Sequence, residues 1–126
     1  MKLLLHTETT FDSCHQLIGY DGKCAQMHGH TWKIEIWFNG FKKDVDEVGI
    51  LVDFGIVKLL KEELDHKDIT HLIKLDDKEV NPTAENLAQW IHNFVIGEIN
   101  TKVQCKVRLY ETAVGKETWC EYGDFE

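Results

Sequence analysis

The chain has 126 residues, and its 22 acidic and 14 basic side chains give a net charge of −8. With 43% apolar and 29% charged residues, the composition is typical of one globular domain over residues 1–126 and excludes a disordered or fibrous chain. Arg108 is the one arginine, which excludes a broad basic surface for nucleic acid or anionic lipid.

The first residues of the chain and the spacing of its cysteines bear on where in the cell the protein is located. Leu3 to Leu5 form a run of only three leucines, which is too short for a signal-peptide core or a membrane span. The four cysteines have wide and irregular spacing, which favours free thiols in a reducing compartment. We therefore expect a cytoplasmic protein without membrane contact.

The first half of the chain contains strand patterns followed by a helix pattern. Alternating apolar residues indicate half-buried strands, and Asp53 is a candidate N-cap for a helix with apolar residues near helical spacing. We predict strands over residues 2–10, 31–38 and 50–52, a turn at Asn39–Gly40, and a helix that ends near Leu64.

The second half begins with a predicted loop over residues 69–80. Thr83 can cap a helix whose apolar residues recur at i, i+3, i+4, i+7 and i+8, and Gly97 is expected to end it. Two further strands are predicted over residues 103–109 and 118–122. The order β-β-α-α-β-β predicts an α+β fold, in which two helices cover one face of an antiparallel sheet.

His28-Gly29-His30 is the strongest chemical motif in the sequence. Residues two apart on a strand point to the same side, so both imidazoles can reach one ion. His15 precedes them by thirteen residues, across a segment that can fold back. Three imidazoles with one open position are the pattern of a catalytic zinc site, although an isolated histidine is more often an ordinary residue with a satisfied hydrogen bond.

Cys24 stands four residues before His28 and has three possible roles. It can be a fourth ligand that closes a structural zinc site. It can instead be a thiol near the metal that serves as a base, or a small buried apolar residue. The spacing does not choose among these roles.

Two carboxylates, those of Asp65 and Glu111, are further candidates for a functional site. Asp65 and His66 stand together at a helix end, where they form either a functional dyad or an ordinary solvated terminus. Glu111 continues the apolar row of the strand before it, so it points to the apolar side as a structural partner or as a ligand-binding group. Thr112 would line such a pocket.

Six motifs in this order resemble the 6-pyruvoyl-tetrahydropterin synthase family, and in particular its bacterial 6-carboxy-tetrahydropterin synthase branch. They are Phe11 to His15, Cys24-x-x-x-His28-Gly29-His30, Val52-Asp53-Phe54, Leu64-Asp65-His66, Asn81 to Leu87, and Tyr110-Glu111-Thr112. The family usually has small residues before His15, often alanines, where this chain has Ser13-Cys14, which makes Cys14 a second candidate thiol near the metal.

This resemblance implies a tunnelling fold whose subunits join their sheets into barrels, as a homo-oligomer, a hexamer arranged as a dimer of trimers. It implies zinc on His15, His28 and His30, Cys24 as proton acceptor, and Asp65 with His66 as a dyad beside the metal. Glu111 would anchor the pterin, with Thr83 or Glu85 helping.

The implied reaction is that of a lyase. It converts 7,8-dihydroneopterin triphosphate to 6-carboxytetrahydropterin, acetaldehyde and triphosphate for queuosine biosynthesis. The alternatives are 6-pyruvoyl-tetrahydropterin synthase activity and a non-catalytic zinc-binding module.

Overall fold

Two long strands and two helices account for most of the regular structure. The computed structural model describes residues 1–22, 25–113 and 118–126. Strand β1 spans Lys2–His15, β2 spans His28–Phe41, a 3₁₀ turn covers Lys42–Asp44, and helix α1 spans Ile56–Leu64. Three two-residue strands follow: β3 (Lys67–Asp68), β4 (Lys74–Leu75) and β5 (Lys78–Glu79). Helix α2 spans Ala84–Ile96, followed by β6 (Gln104–Tyr110) and β7 (Trp119–Gly123).

Five of the strands form one sheet in the order β3-β1-β2-β6-β7. β1 and β2 pair antiparallel along their whole length, from Lys2 opposite Phe41 to His15 opposite His28. The β2–β6 and β6–β7 pairs are also antiparallel, whereas β3 adds a short parallel pairing to β1. The long antiparallel β1–β2 pair therefore determines which residues meet at each end of the sheet.

The hydrophobic core lies on one face of this sheet. Side chains alternate across a strand, and β2 buries its whole apolar row, which consists of Trp32, Ile34, Ile36 and Phe38. Leu60 of α1 and Ile91 of α2 are fully buried in the same cluster. Full burial of one such aliphatic side chain contributes roughly 1.5–3 kcal/mol. The predicted α+β fold, with two helices on one face of an antiparallel sheet, is confirmed.

The predicted turn at Asn39–Gly40 is wrong, because β2 continues through both residues to Phe41. These two residues pair with Leu4 and Leu3 of β1, so the long partner strand keeps them extended. Gly40 serves close packing instead, since a Cβ there would lie 2.8 Å from a methyl carbon of Leu51. The strand predicted over residues 50–52 is also wrong: Leu51 and Val52 form a bend that packs against the core.

The predicted helices are confirmed with one change at a helix start. Asp53 accepts a hydrogen bond from the Gly55 N–H at 2.8 Å and closes the turn before α1, whose N-cap residue is Gly55. Thr83 caps α2 as predicted, since its hydroxyl accepts a hydrogen bond from the Asn86 N–H at 3.1 Å, and Gly97 is the C-cap.

The segment over residues 69–80 is more ordered than the predicted loop, because β4 and β5 pair there as a small hairpin. Its turn contains Asp76 and Asp77, both in the left-handed region with φ of 52° and 62°.

Within the described ranges, no helix combines the length and the apolar character needed to cross a membrane.

Candidate active site

Three imidazoles meet at one end of the β1–β2 pair, on the face covered by the helices. His15 ends β1 and lies directly opposite His28, the first residue of β2, while His30 lies opposite Ser13. The alternation along each strand places these side chains on the same face. One ligand atom from each imidazole and one from Glu111 all lie within 4.8 Å of one another. The structure therefore brings together the three histidines predicted to bind metal.

Hydrogen bonds to main-chain carbonyls orient two of these imidazoles. His15 Nδ1 lies 2.9 Å from the Pro82 carbonyl oxygen, and His28 Nδ1 lies 2.7 Å from that of Gln26. Because a carbonyl oxygen can only accept, each Nδ1 carries the hydrogen, and each neutral ring presents a lone pair at Nε2. The two Nε2 atoms are 3.1 Å apart. Two lone pairs at that distance repel each other unless a proton or a metal ion lies between them.

His30 completes the cluster beside Glu111. Its Nε2 lies 2.9 Å from Glu111 Oε1, which is an ion-pair distance. The direction of this contact is not that of a hydrogen bond, so among the described residues the buried Nε2 has no hydrogen-bonding partner. A hydrogen bond requires alignment as well as proximity, so this close approach does not satisfy the nitrogen. His30 therefore also presents an unsatisfied nitrogen to the centre of the cluster.

The surroundings of His15 and His30 favour the neutral, metal-binding form of these two imidazoles. Burial lowers the pKa of His15, an effect that the Pro82 hydrogen bond opposes and His28 reinforces. Burial also lowers the pKa of His30, against an opposing contribution from Glu111. Trp32 is fully buried and presents its ring edge-on to both His15 and His30, which restricts their motion. Neutral imidazoles are the form that divalent zinc binds.

Asp65 and His66 form a dyad immediately after α1. Asp65 Oδ2 lies 2.9 Å from His66 Nδ1, and Asp65 Oδ1 accepts a hydrogen bond from the Asp12 N–H at 2.8 Å. The His66 N–H in turn donates to the Asp12 carbonyl oxygen at 2.6 Å. The hydrogen bond from Asp12 lowers the pKa of Asp65, and the contact with His66 lowers it further, while burial opposes both. The carboxylate is thus held ionised against His66.

The dyad lies on the opposite face of the sheet from the four-group cluster, and of that cluster only His30 also lines the cavity beside the dyad. Asp12 holds the dyad through its main-chain N–H and carbonyl oxygen, and one of its carboxylate oxygens lies within 4.8 Å of ligand atoms of Asp65 and His66. Because Asp12 and His15 are three residues apart on β1, the Asp12 side chain lies on the opposite face of the sheet from His15. A cavity of about 550 Å³ is lined by both His30 and His66, together with Cys14 and Lys67. The sequence did not single out Asp12 or Lys67 as residues that support the dyad. The one available signal was the alternation along β1, which places the Asp12 side chain on the opposite face from His15.

A family model described as 6-pyruvoyl tetrahydropterin synthase matches residues 4–124. This chain belongs to the 6-pyruvoyl tetrahydropterin synthase family. A 6-carboxy-5,6,7,8-tetrahydropterin synthase from Rickettsia bellii is 32% identical, over 81% of this chain and 88% of that protein. A relative of the same name from Haemophilus influenzae is 30% identical, over 91% of this chain and 94% of that protein. The predicted family and the prediction of a tetrahydropterin synthase-type enzyme, a lyase, are confirmed.

Solved structures of the family support the fold. The 6-pyruvoyl tetrahydropterin synthase of Caenorhabditis elegans superposes with a TM-score of 0.71 at 19% identity, covering 99% of this chain and 97% of that one. The Plasmodium falciparum enzyme of the same name gives 0.71 at 17% identity, covering 99% of each chain. At these identities the comparison concerns the fold alone, and it confirms the predicted tunnelling fold of the subunit.

The other residues expected from the 6-pyruvoyl tetrahydropterin synthase resemblance, apart from Glu111, lie outside the imidazole cluster or outside the described residues. Glu85 and Glu111 line a separate cavity of about 340 Å³ with Trp119. The Thr83 hydroxyl is engaged as the cap of α2, and Thr112 is exposed just beyond β6. Cys24 lies outside the described residues.

Cys14 was a second candidate thiol near the metal. It follows Ser13 and precedes His15 on β1, so its side chain lies on the opposite face from the imidazole cluster. The thiol lines the cavity beside the dyad instead.

Proposed function

We propose that this chain is a zinc-dependent 6-carboxy-5,6,7,8-tetrahydropterin synthase in the 7-deazaguanine route to queuosine. Its substrate would be 7,8-dihydroneopterin triphosphate, and its products 6-carboxytetrahydropterin, acetaldehyde and triphosphate. The observation that carries the proposal is the convergence of three imidazole nitrogens beside Glu111, in a chain whose 30–32% identical relatives bear that enzyme name.

The donor set fits zinc. With zinc–nitrogen bonds of about 2.0–2.1 Å, two ligands of a tetrahedral ion are about 3.3 Å apart. The distance of 3.1 Å between His15 Nε2 and His28 Nε2 is close to that value. His15, His28 and His30 would hold the ion, and the Pro82 and Gln26 carbonyls already fix the ligand tautomer of two of them. When bound, the ion supplies Lewis-acid polarisation of the hydroxylated side chain of the substrate.

The acidic and thiol groups have separate proposed roles. The Glu111 carboxylate accepts hydrogen bonds from the ring N–H and amino groups of the pterin and so fixes the ring, with Thr83, Glu85 and Thr112 bordering it. Asp65 holds His66 through Nδ1, which leaves His66 Nε2 free to give and take a proton. The proposal assigns Cys24 as the proton acceptor.

The proposed assembly is a homo-oligomer that closes the sheet, a hexamer built as a dimer of trimers. The five-residue strand β7 lies at one side of the sheet, and at the other side the long strand β1 is covered only by β3, which pairs with it at Ser13 and Cys14. Open strand edges favour pairing with another chain. A β7 placed beside the β1 of a neighbouring copy would continue the antiparallel order. A monomer in sedimentation at micromolar concentration would contradict this assembly.

The deciding experiment is product analysis. Zinc-loaded protein is incubated with 7,8-dihydroneopterin triphosphate, and acetaldehyde and 6-carboxytetrahydropterin are quantified. We expect both from the native chain, none from His66→Asn, and native amounts from His71→Asn, whose exposed imidazole pairs with Glu79 away from the site. Cys24→Ala should keep zinc and lose turnover.

The runner-up is the 6-pyruvoyl tetrahydropterin synthase reaction, favoured by the description of the family model. Formation of 6-pyruvoyl-tetrahydropterin without acetaldehyde would establish it and overturn our proposal. If Cys24→Ala loses zinc while the native thiol stays unreactive, the site is a closed structural one and the catalytic interpretation fails.

A further inference from the structure

Glu111 lies inside the imidazole cluster rather than beside it. Its Oε1 is 2.9 Å from His30 Nε2, and it belongs to the group of four ligand atoms that all lie within 4.8 Å of one another. The misdirected contact with His30 gives the carboxylate no hydrogen bond there. Four groups that bring metal-binding atoms within 4.8 Å of one another, with no hydrogen bond between Glu111 and His30, are the arrangement expected around one cation.

The distances agree with four groups around one ion. The Glu111–His30 and His15–His28 separations are 2.9 and 3.1 Å, and each is slightly shorter than the ligand–ligand distance of about 3.3 Å for tetrahedral zinc. Aspartate and glutamate oxygens are ordinary zinc ligands, at about 2.0–2.2 Å. The other separations within the group are at most 4.8 Å, so changes of at most about 1.5 Å between any two ligand atoms would bring the four groups to tetrahedral distances.

The Glu111 side chain also borders open space outside the imidazole cluster. Its side chain is 37% exposed, which is more than the 21% of His30, and it lies at the border between the cluster and the cavity of about 340 Å³. Trp119 and Cys120 line that cavity beside Glu85. The carboxylate can therefore leave the cluster by rotation of its own side chain, without movement of the strands that hold the histidines.

We propose that Glu111 is an exchangeable fourth metal ligand. Without substrate, its carboxylate binds the ion together with His15, His28 and His30. When a pterin ring enters, the carboxylate turns to accept the hydrogen bonds of the ring and leaves one coordination position open. This inference rests on the ring-anchoring role proposed above for Glu111. It implies that the position for the substrate side chain opens only after the ring is seated.

The first test compares cobalt-loaded proteins, because the visible spectrum of Co²⁺ reports its ligands. Glu111→Gln keeps the size of the side chain and removes its charge. Glu85→Gln is the matched control, since Glu85 lines the same cavity but does not belong to the four-group cluster. We expect a changed spectrum and a loss of cobalt affinity of more than roughly 10-fold in Glu111→Gln, because loss of a ligand costs at least as much as loss of a group that supports one. Glu85→Gln should match the native protein in both.

This comparison distinguishes a carboxylate that binds the metal directly from one that attracts it only electrostatically. A carboxylate that only attracts the ion through space would lower the affinity when removed but would leave the spectrum unchanged. Superimposable spectra of the native protein and Glu111→Gln therefore overturn the proposal, whatever the affinities. Circular dichroism of both variants establishes that their folds match that of the native chain.

The second test uses 6-methylpterin, which has the ring but no hydroxyl groups to bind the metal. If the ring and the ion compete for Glu111, saturating 6-methylpterin should weaken cobalt binding to the native protein about fivefold or more. Cobalt should weaken 6-methylpterin binding by the same factor, because coupling between two binding sites is reciprocal. An unchanged or strengthened cobalt affinity would overturn the exchange.

These readouts are independent of the reaction. If the protein forms no acetaldehyde but shows the Glu111-dependent spectrum and the competition, the proposed synthase activity fails and the exchangeable ligand stands. If it forms acetaldehyde with superimposable spectra, the reverse holds.

Discussion

Zinc should stabilise this protein through His28, by an amount that depends on the ratio of the free zinc concentration to the dissociation constant. At a free zinc concentration 100 times the dissociation constant, ligand binding adds about 2.7 kcal/mol to the free energy of unfolding. For a chain of 126 residues, an unfolding entropy of about 2.1 cal/mol/K per residue converts this into a rise of about 10 °C in Tm.

His28→Ala should remove most of that gain. Loss of a direct ligand costs more than loss of a supporting hydrogen bond, which itself costs about 10- to 100-fold in metal affinity. At the same zinc concentration the variant is then at most half saturated, and its gain is below about 0.4 kcal/mol. The metal-free variant should be no less stable than metal-free native protein, because the substitution removes the 3.1 Å contact between two lone pairs.

The assay is thermal unfolding with zinc and with a chelator, for the native protein, His28→Ala and His71→Ala. His71 is exposed and pairs with Glu79, so His71→Ala should keep the full zinc-induced gain. If His28→Ala also keeps the gain, or if chelator and zinc give the same Tm in the native protein, the imidazole cluster does not bind zinc and the reasoning fails.

Two further predictions concern the elements that hold the site. Thr83→Ala should lower the free energy of unfolding by about 1 kcal/mol in urea titrations, because it removes the cap of α2, whereas Thr83→Ser should restore it. Because the pKa of Asp65 is lowered in the folded state, its ionisation contributes stability near pH 7 that is lost as the pH falls below about 4. The native protein should therefore be more stable than Asp65→Asn at pH 7, and that advantage should shrink as the pH falls to 3; a constant difference would contradict this assignment.

Local patterns predicted the histidine cluster, but the length of β1 had to come from the structure. His28 and His30 share a face because alternation along one strand requires it. The polar segment from Asp12 to His15 has little strand character of its own, and it is extended because β2 provides a partner for each of its residues. The meeting of His15 with His28 is thus a consequence of strand pairing over a long sequence separation, which a local pattern does not reveal.

The Asp65–His66 dyad also has one part that follows from the local sequence and one part that depends on the fold. Asp65 and His66 are neighbours, so their contact was predictable from the sequence alone. Their support was not, because Asp12 reaches them only where α1 ends beside β1 and where His66 adopts a left-handed φ of 57°. The error at Asn39–Gly40 has a related cause, since an Asn-Gly pair favours a turn until a full-length partner strand and close packing by Leu51 keep it extended.

The net charge of −8 restricts how this protein can hold a triphosphate. Arg108 does not serve that purpose, because its guanidinium lies 3.0 Å from Glu121 and stacks on Trp119. Lys67, by contrast, lines the cavity that contains His66 and His30. Screening limits the reach of a surface charge to about 8 Å at physiological ionic strength, so a cation must be beside the phosphates to offset the acidic excess. If the proposed substrate binds beside the dyad, Lys67 is therefore placed to offset part of the charge of its phosphates.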